Sequence, residues 1–342
     1  MPSILITGGA GFIGVNSSLY FAEQGWKLSI IDDLSRKGAE NNLQWLRSKI
    51  PDFNYYQVDI RDFNAVKNVV SQEQPDMLLH LAAQVAVTTS YENPRIDFEI
   101  NALGTFNIME SIRLTSANTF VLYASTNKVY GGMETLPVIL TEDGYRFNGL
   151  EHGINEEQAL DFHSPYGCSK GVADQYTIDY ARIYDLKTCA FRQSCIYGTR
   201  QFGIEDQGWV AWFTIASLLG KPITLYGNGW QTRDVLNVQD LARAYEAAWI
   251  HREKISGQAF NVGGGPQNTL CLRRLIEILE SKLKISISPG FGPSRPGDQP
   301  VFVCDIRKIK KELNWEPAVT VQTGVEELIE WVQQNKELFG GF

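Results

Sequence analysis

"ILITGGAGFIGVN", residues 4–16, runs an apolar strand into a turn carrying Gly8, Gly11 and Gly14, and then into a helical pattern. The spacing is G-x-x-G-x-x-G rather than the G-x-G-x-x-G of the standard dinucleotide fingerprint. The physics is shared. Glycines let the backbone turn tightly and approach a pyrophosphate, and a helix N-terminus offers free N–H groups and a dipole that favours negative charge. A plain tight turn would use the same glycines, so the rest of the chain has to decide.

Strand-length apolar runs recur at residues 4–6, 28–31, 55–58, 77–81, 120–123 and 188–191, and helix-length segments lie at 13–24, 65–71 and 98–113. Near-continuous apolar strands alternating with helices imply a parallel sheet covered on both faces. Right-handed crossovers then give an α/β, Rossmann-like doubly wound layout. Residues 131–165 break the rhythm with Gly, Pro and acidic residues, and read as a functional loop or an insertion. Beyond about residue 195 turn signals multiply, with helical patterns at 270–284 and 321–334. The division expected is residues 1–195 plus about 228–262 in one unit, and 196–227 plus 263–342 in a smaller C-terminal α/β unit.

Bulk properties exclude several classes. The 342 residues are 44% hydrophobic and 20% charged, as in an ordinary globular protein. A net charge of −8 argues against a nucleic-acid surface. No run approaches the roughly 18 apolar residues of a membrane helix, so no membrane association is expected. The N-terminus lacks the basic and apolar regions of a signal peptide. Five cysteines without a C-x-x-C pair suit reduced thiols and a cytoplasmic location. The four histidines show no metal-ligand spacing, so no metal is expected.

Asp32 ends the second apolar run, where a carboxylate can bond adenosine ribose hydroxyls and repel a 2′-phosphate. That favours NAD over NADP, although Arg36 and Lys37 follow closely. Asp59-Ile60 could edge the adenine, or Asp59 could cap a helix. In "SPYGCSKG", residues 164–171, Tyr166 and Lys170 stand at i and i+4 on a helix starting near Pro165. An unperturbed phenol titrates near ~10. A neighbouring ammonium favours the phenolate, which could accept a hydroxyl proton while hydride leaves the same carbon. A surface Tyr–Lys pair would give the same spacing.

"TGGAGFIG", "STNKVYG", "SPYGCSK", "RDVLNVQDLA", "FNVGGG", "RPGD" and "NWEP" occur in the order seen in extended short-chain dehydrogenases/reductases that modify nucleotide sugars. The resemblance covers nearly the whole chain. It implies a catalytic set of Thr126, Tyr166 and Lys170 and a tightly held NAD. It places Gly8, Gly11, Phe12, Ile13, Gly14, Asp32, Asp33, Leu34, Ser35, Arg36, Asp59, Ile60, Leu81, Ala82, Ala83, Gln84, Asn101 and Ser194 around that cofactor, with Tyr166 and Lys170. It puts Arg233 and Arg295 at the diphosphate, Tyr226 on the base, and Gln207 and Trp209 where related enzymes handle a uracil. Asp298 would orient Arg295 or bond a ribose, and Ser125, Asn127 and Cys195 complete the substrate set. Cys195 stands where an Asn is frequent in UDP-sugar enzymes, and a thiol cannot replace an amide's donors and acceptors. Members usually pair, so a homo-oligomer is expected.

The turn after the fifth run separates branches of the family. The 4,6-dehydratases follow their Ser/Thr with Asp-Glu, the acid and base that eliminate water. Here Asn127-Lys128 follows Thr126. Without a carboxylate pair, elimination lacks its proton shuttles, and hydride removal and return remain. The chain is most similar to the CDP-paratose/CDP-tyvelose 2-epimerase branch, through "STNKVYG", "DQGWV" and the insertion ending in "LDFHSPYG". This implies a CDP-sugar substrate epimerised at C2. A UDP-sugar 4-epimerase, a 4-ketoreductase and a non-catalytic cofactor sensor are the alternatives.

Overall fold

Seven short strands form the central sheet of the computed structural model, which describes residues 1–294 and 298–340. They are β1 (Ser3–Thr7), β2 (Lys27–Ile31), β3 (Asn54–Tyr56), β4 (Met77–His80), β5 (Phe120–Thr126), β6 (Thr188–Gln193) and β7 (Gln258–Val262). Their order is β7-β6-β5-β4-β1-β2-β3, and every neighbouring pair is parallel. β1 to β6 coincide with the apolar runs, and β7 adds an edge. Strand order reverses between β1 and β4, and ligands of such sheets bind at the strands' carboxyl ends beside that switch point.

Alternation along β1 shows how both faces are filled. Ile4 and Ile6 join a core with Phe21 of α1 (Phe12–Glu23), Leu43 of α2 (Ala39–Lys49) and Leu241 of a later helix (Val238–Ile250). Leu5, between them, joins Val66 of α3 (Phe63–Glu73) and Ile108 of α4 (Gly104–Thr115). Each such side chain, fully buried, contributes roughly 1.5–3 kcal/mol. The helix expected over 98–113 is interrupted: a π-helical turn, Glu99–Leu103, precedes α4 and carries the buried Asn101.

A second, four-stranded sheet combines Cys195–Tyr197, Thr232–Asn237, Thr269–Cys271 and Val301–Phe302. Its core packs helices Trp209–Leu218, Leu272–Leu283 and Val321–Gln334. Residues 131–165 are not a bare loop. They contain an antiparallel hairpin, Val138–Thr141 with Gly144–Phe147. Phe147 and Ile154 pack on Tyr130, Val301 and Phe302, so the segment joins the end of β5 to the second sheet. Among the described residues no helix is long and apolar enough to cross a membrane.

Candidate active site

The turn between β1 and α1 is held by backbone proximity. Gly8 has φ +70°, and a Cβ there would meet Ala82 N at 2.8 Å. A Cβ at Gly14 would stand 2.0 Å from Gly8 O, so turn and helix touch only because position 14 is bare. Leu81 N and Ala82 N donate to Thr7 Oγ1 at 3.2 Å each, drawing the end of β4 against the turn. Asp32 follows β2 and is buried. Its carboxylate accepts from Ala10 N at 3.0 Å and Leu34 N at 2.8 Å. Burial raises its pKa, against the pull of those N–H groups. This cradle fits a dinucleotide: bare backbone at a helix N-terminus for the pyrophosphate, and a fixed carboxylate at the next strand's end for ribose hydroxyls.

The adenosine-side residues fall into two groups. Asp33 Oδ1 accepts from Ser35 N at 3.0 Å and Ser35 Oγ at 2.7 Å, which shapes the loop holding Asp32 and Leu34. Arg36 Nη2 donates across the fold to Gln207 Oε1 at 2.6 Å. Two residues expected at opposite ends of the site therefore meet each other. Asp59 does not cap a helix; Asp62 does, accepting from Ala65 N at 3.0 Å. Asp59 instead takes Arg61 in a fork, with Nε at 2.9–3.1 Å, which lowers its pKa. Ile60 is buried beside Gly104.

The catalytic candidates converge where β5 meets α5 (Ser164–Tyr184). The helix is started by Ser164, whose Oγ accepts from Gly167 N at 3.1 Å, with Pro165 in its first turn. Ser164 has φ +67°, a strained conformation for a residue with a Cβ. One turn on, Tyr166 and Lys170 are both buried. Lys170 Nζ donates to Ala124 O of β5 at 2.6 Å and lies 4.3 Å from the Tyr123 ring centroid. Burial pushes the lysine down to about 7, against the attraction of Asp174 and Asp97. Burial pushes the Tyr166 phenol up to about 12; the adjacent Thr126 hydroxyl pulls the other way. Thr126 Oγ1 also accepts from Lys128 N at 3.2 Å, capping the short turn Asn127–Tyr130. Ser125 points elsewhere: its hydroxyl donates to the buried Asp174 at 2.6 Å, and Asp174 forks Arg192 at 2.9 and 3.1 Å.

Two buried groups were not singled out by motif reading. Asp97 accepts from Ser169 Oγ at 2.5 Å, Gln84 Nε2 at 2.8 Å and Asn101 Nδ2 at 3.2 Å. It thereby ties the loop after β4, the π-helical turn and α5 into one network. Asn101 closes it by accepting from Gln84 N at 2.9 Å. His80 bridges Thr7 and Thr105, Nδ1 at 2.6 Å and Nε2 at 2.9 Å, and burial pushes it down to about 3. A neutral imidazole therefore locks β1 to β4 beneath the glycine turn. The available signal was polarity at positions where strand and helix patterns call for apolar residues.

Of the residues expected at the substrate, Cys195 and Arg233 lie on the second sheet, and Tyr226 lies on a separate two-stranded sheet with Gly290–Gly292. Arg233 Nη2 donates to Gln299 O at 2.7 Å and pairs with Asp298 Oδ1 at 3.3 Å. Asp298 thus sits on Arg233, and Arg295 lies outside the described residues. Cys195 is half-buried near Trp209 and Arg233, and desolvation raises its thiol's pKa, which suits packing rather than nucleophilic chemistry. Ser194, expected at the cofactor, donates its Oγ to Asp234 O at 2.9 Å. Tyr226 OH donates to Glu205 Oε1 at 2.9 Å, and its ring lies over Gly292.

Comparison with known proteins identifies the lineage. The family described as GDP-mannose 4,6 dehydratase matches residues 5–328. The CDP-paratose 2-epimerase of Salmonella typhi is 46% identical over 333 residues, 96% of this chain and 98% of that protein. The chain belongs to this family of extended short-chain dehydrogenases/reductases. Its family fold is a Rossmann-like α/β fold. The UDP-glucose 4-epimerase of Thermotoga maritima, solved with UDP-glucose, superposes with a TM-score of 0.85 at 29% identity, covering 98% of this chain and 99% of that one. The UDP-glucose 4-epimerase of Thermus thermophilus, solved with NAD, gives 0.80 at 27% identity over 99% and 100% of the two chains.

Proposed function

We propose that this enzyme is an NAD-dependent epimerase of CDP-hexoses that inverts C2, of the CDP-paratose to CDP-tyvelose type. The observation that carries the reading is the turn after β5, which brings Thr126 to Tyr166 and follows it with Asn127 and Lys128 in place of an acid–base carboxylate pair. Similarity to the Salmonella typhi CDP-paratose 2-epimerase supports the choice of sugar nucleotide.

The turn around Gly8 and Gly14, with Asp32, would hold NAD, and Lys170 and the Asn101 network border the reacting end. When bound, NAD accepts hydride from the sugar and later gives it back. C2 of a hexose without a neighbouring ketone has no acidic hydrogen, so inversion by proton removal alone is closed and oxidation to a 2-ketose must come first. Tyr166 Oη is the group to take the O2 proton, with the Thr126 hydroxyl holding the reacting oxygen beside it. Lys170, when charged, favours the phenolate. Burial of the pair excludes water that would scatter the proton. The ketose then presents its opposite face, and Tyr166 returns the proton to O2 on reduction. Arg233 would fork the diphosphate.

Incubation with CDP-paratose and with CDP-glucose, read by NMR at C2, tests the reading. Inversion at C2 is expected. Unchanged C2 with altered C4, or turnover of UDP-glucose alone, would replace it with the UDP-sugar 4-epimerase reading, which the likeness to the Thermotoga maritima enzyme favours. Mass spectrometry of the denatured protein should release NAD.

A further inference from the structure

Lys128 has no part in the proton chemistry above, yet it occupies the catalytic turn, two residues after Thr126. Its Nζ donates to Gln299 Oε1 at 3.2 Å. Arg233 reaches the same segment from the second sheet, donating to Gln299 O at 2.7 Å and pairing with Asp298. Two cations therefore converge on residues 298–299, where Asp298 pairs with Arg233 and attracts Lys128. Lys128 borders a cavity whose lining also includes Gly131, Glu134, Ser164, Asp298 and Gln299, and Ser164 is the residue that starts the Tyr166 helix. Burial, then the Arg233 charge, pushes Lys128 down to about 8. Two partly buried cations beside one carboxylate leave positive charge uncompensated, which a further anion would relieve.

Ring geometry supplies the anion. In a sugar nucleotide the diphosphate hangs from C1. C2 is bonded to C1, whereas C4 lies across the ring. An enzyme that sets C2 against Tyr166 must bring the sugar-linked phosphate close to the catalytic turn, where an enzyme acting at C4 keeps it a ring's width away. We propose that Lys128 binds the sugar-linked β-phosphate together with Arg233 and thereby selects C2 as the carbon presented to Tyr166. The assignment rests on the C2 reading above.

The test titrates CDP and CMP calorimetrically into the NAD-loaded enzyme and its Lys128→Met variant. Losing a charge-assisted bond to the β-phosphate should lower CDP affinity about 10–100-fold and leave CMP affinity nearly unchanged. kcat/KM for C2 inversion should fall at least as far. Equal weakening of CDP and CMP, or of neither, overturns the proposal, as does an unchanged kcat/KM. Should Lys128→Met melt early, Lys128→Gln, which keeps a donor for Gln299 but no charge, carries the same expectation. Parallel titrations with UDP and UMP separate the two readings. A preference for UDP would defeat the CDP assignment, while the diphosphate-to-monophosphate ratio would still report on Lys128.

Discussion

Replacing Lys170 by Met should abolish turnover and stabilise the cofactor-free fold. Burial holds the lysine at about 7, against an ordinary value of 10.5. That displacement corresponds to about 5 kcal/mol of unfavourable charging at neutral pH. Methionine has a similar reach, needs no proton and suits an apolar pocket. Removing the amine also removes the donor to Ala124 O, at 2.6 Å, a loss of about 1–3 kcal/mol. A net gain of about 2 kcal/mol or more remains. The pH dependence is the sharper signature. Between pH 7 and 10.5 the unfolded chain binds a proton at this residue that the folded chain does not, so wild-type stability rises with pH relative to the variant. The charging penalty is largest below pH 7 and gone by about pH 10.5, so the variant's advantage shrinks through that range and reverses once the penalty falls below the lost hydrogen bond. Urea unfolding of NAD-stripped wild type and Lys170→Met at about pH 6, 7, 8, 9 and 10 measures it. A variant less stable than wild type at about pH 7, or a gap constant across the series, refutes the argument.

Other expectations are more direct. Tyr166→Phe should lower kcat by about 10²–10⁴-fold with bound NAD content unchanged; comparable turnover would remove Tyr166 from the chemistry. Gly14→Ala places a Cβ 2.0 Å from Gly8 O, so the purified protein should carry little NAD by mass spectrometry, and full occupancy would contradict the cradle. Asp174→Asn leaves the Arg192 charge buried without its carboxylate and should cost about 3–5 kcal/mol in urea unfolding; a loss below about 1 kcal/mol would mean that the pair is dispensable.

What the sequence made legible follows from the range of the interactions. β1, the glycine turn and α1 are local: their apolar alternation and bare positions lie within a few residues of one another. Tyr166 and Lys170 are legible because helical spacing alone puts them on one face. The meeting of Arg36 with Gln207 joins positions 171 apart, and no periodicity reports it. Asp97 lies within a five-residue helix, Pro94–Phe98, and its partners Gln84 and Ser169 come from a loop before it and a helix far beyond it. The hairpin in 131–165 escaped for a different reason. Its strand Val138–Thr141 is only partly covered and leaves Leu140 exposed, so the apolar alternation that marks a strand is weak.

The ionisable groups of the site share one electrostatic cause. Asp32, Asp97 and Tyr166 are raised, Lys128 and Lys170 are lowered, and in each case burial is the largest contribution. Every one is displaced toward its neutral form. Close pairing into strong salt bridges would have moved them the opposite way, as it does for Asp59 beside Arg61. The difference is functional in kind. A carboxylate satisfied by an arginine is a finished interaction and has little to offer a ligand, whereas a desolvated phenol or ammonium gains by meeting a complementary group. The end of β5 concentrates such groups: Tyr166 beside Thr126, Lys170 on Ala124 O, and Lys128 two residues on, reaching Gln299. Under the proposed function, a strand end opening on a helix would account both for where the proton is handled and for why a charged substrate should be drawn to that place.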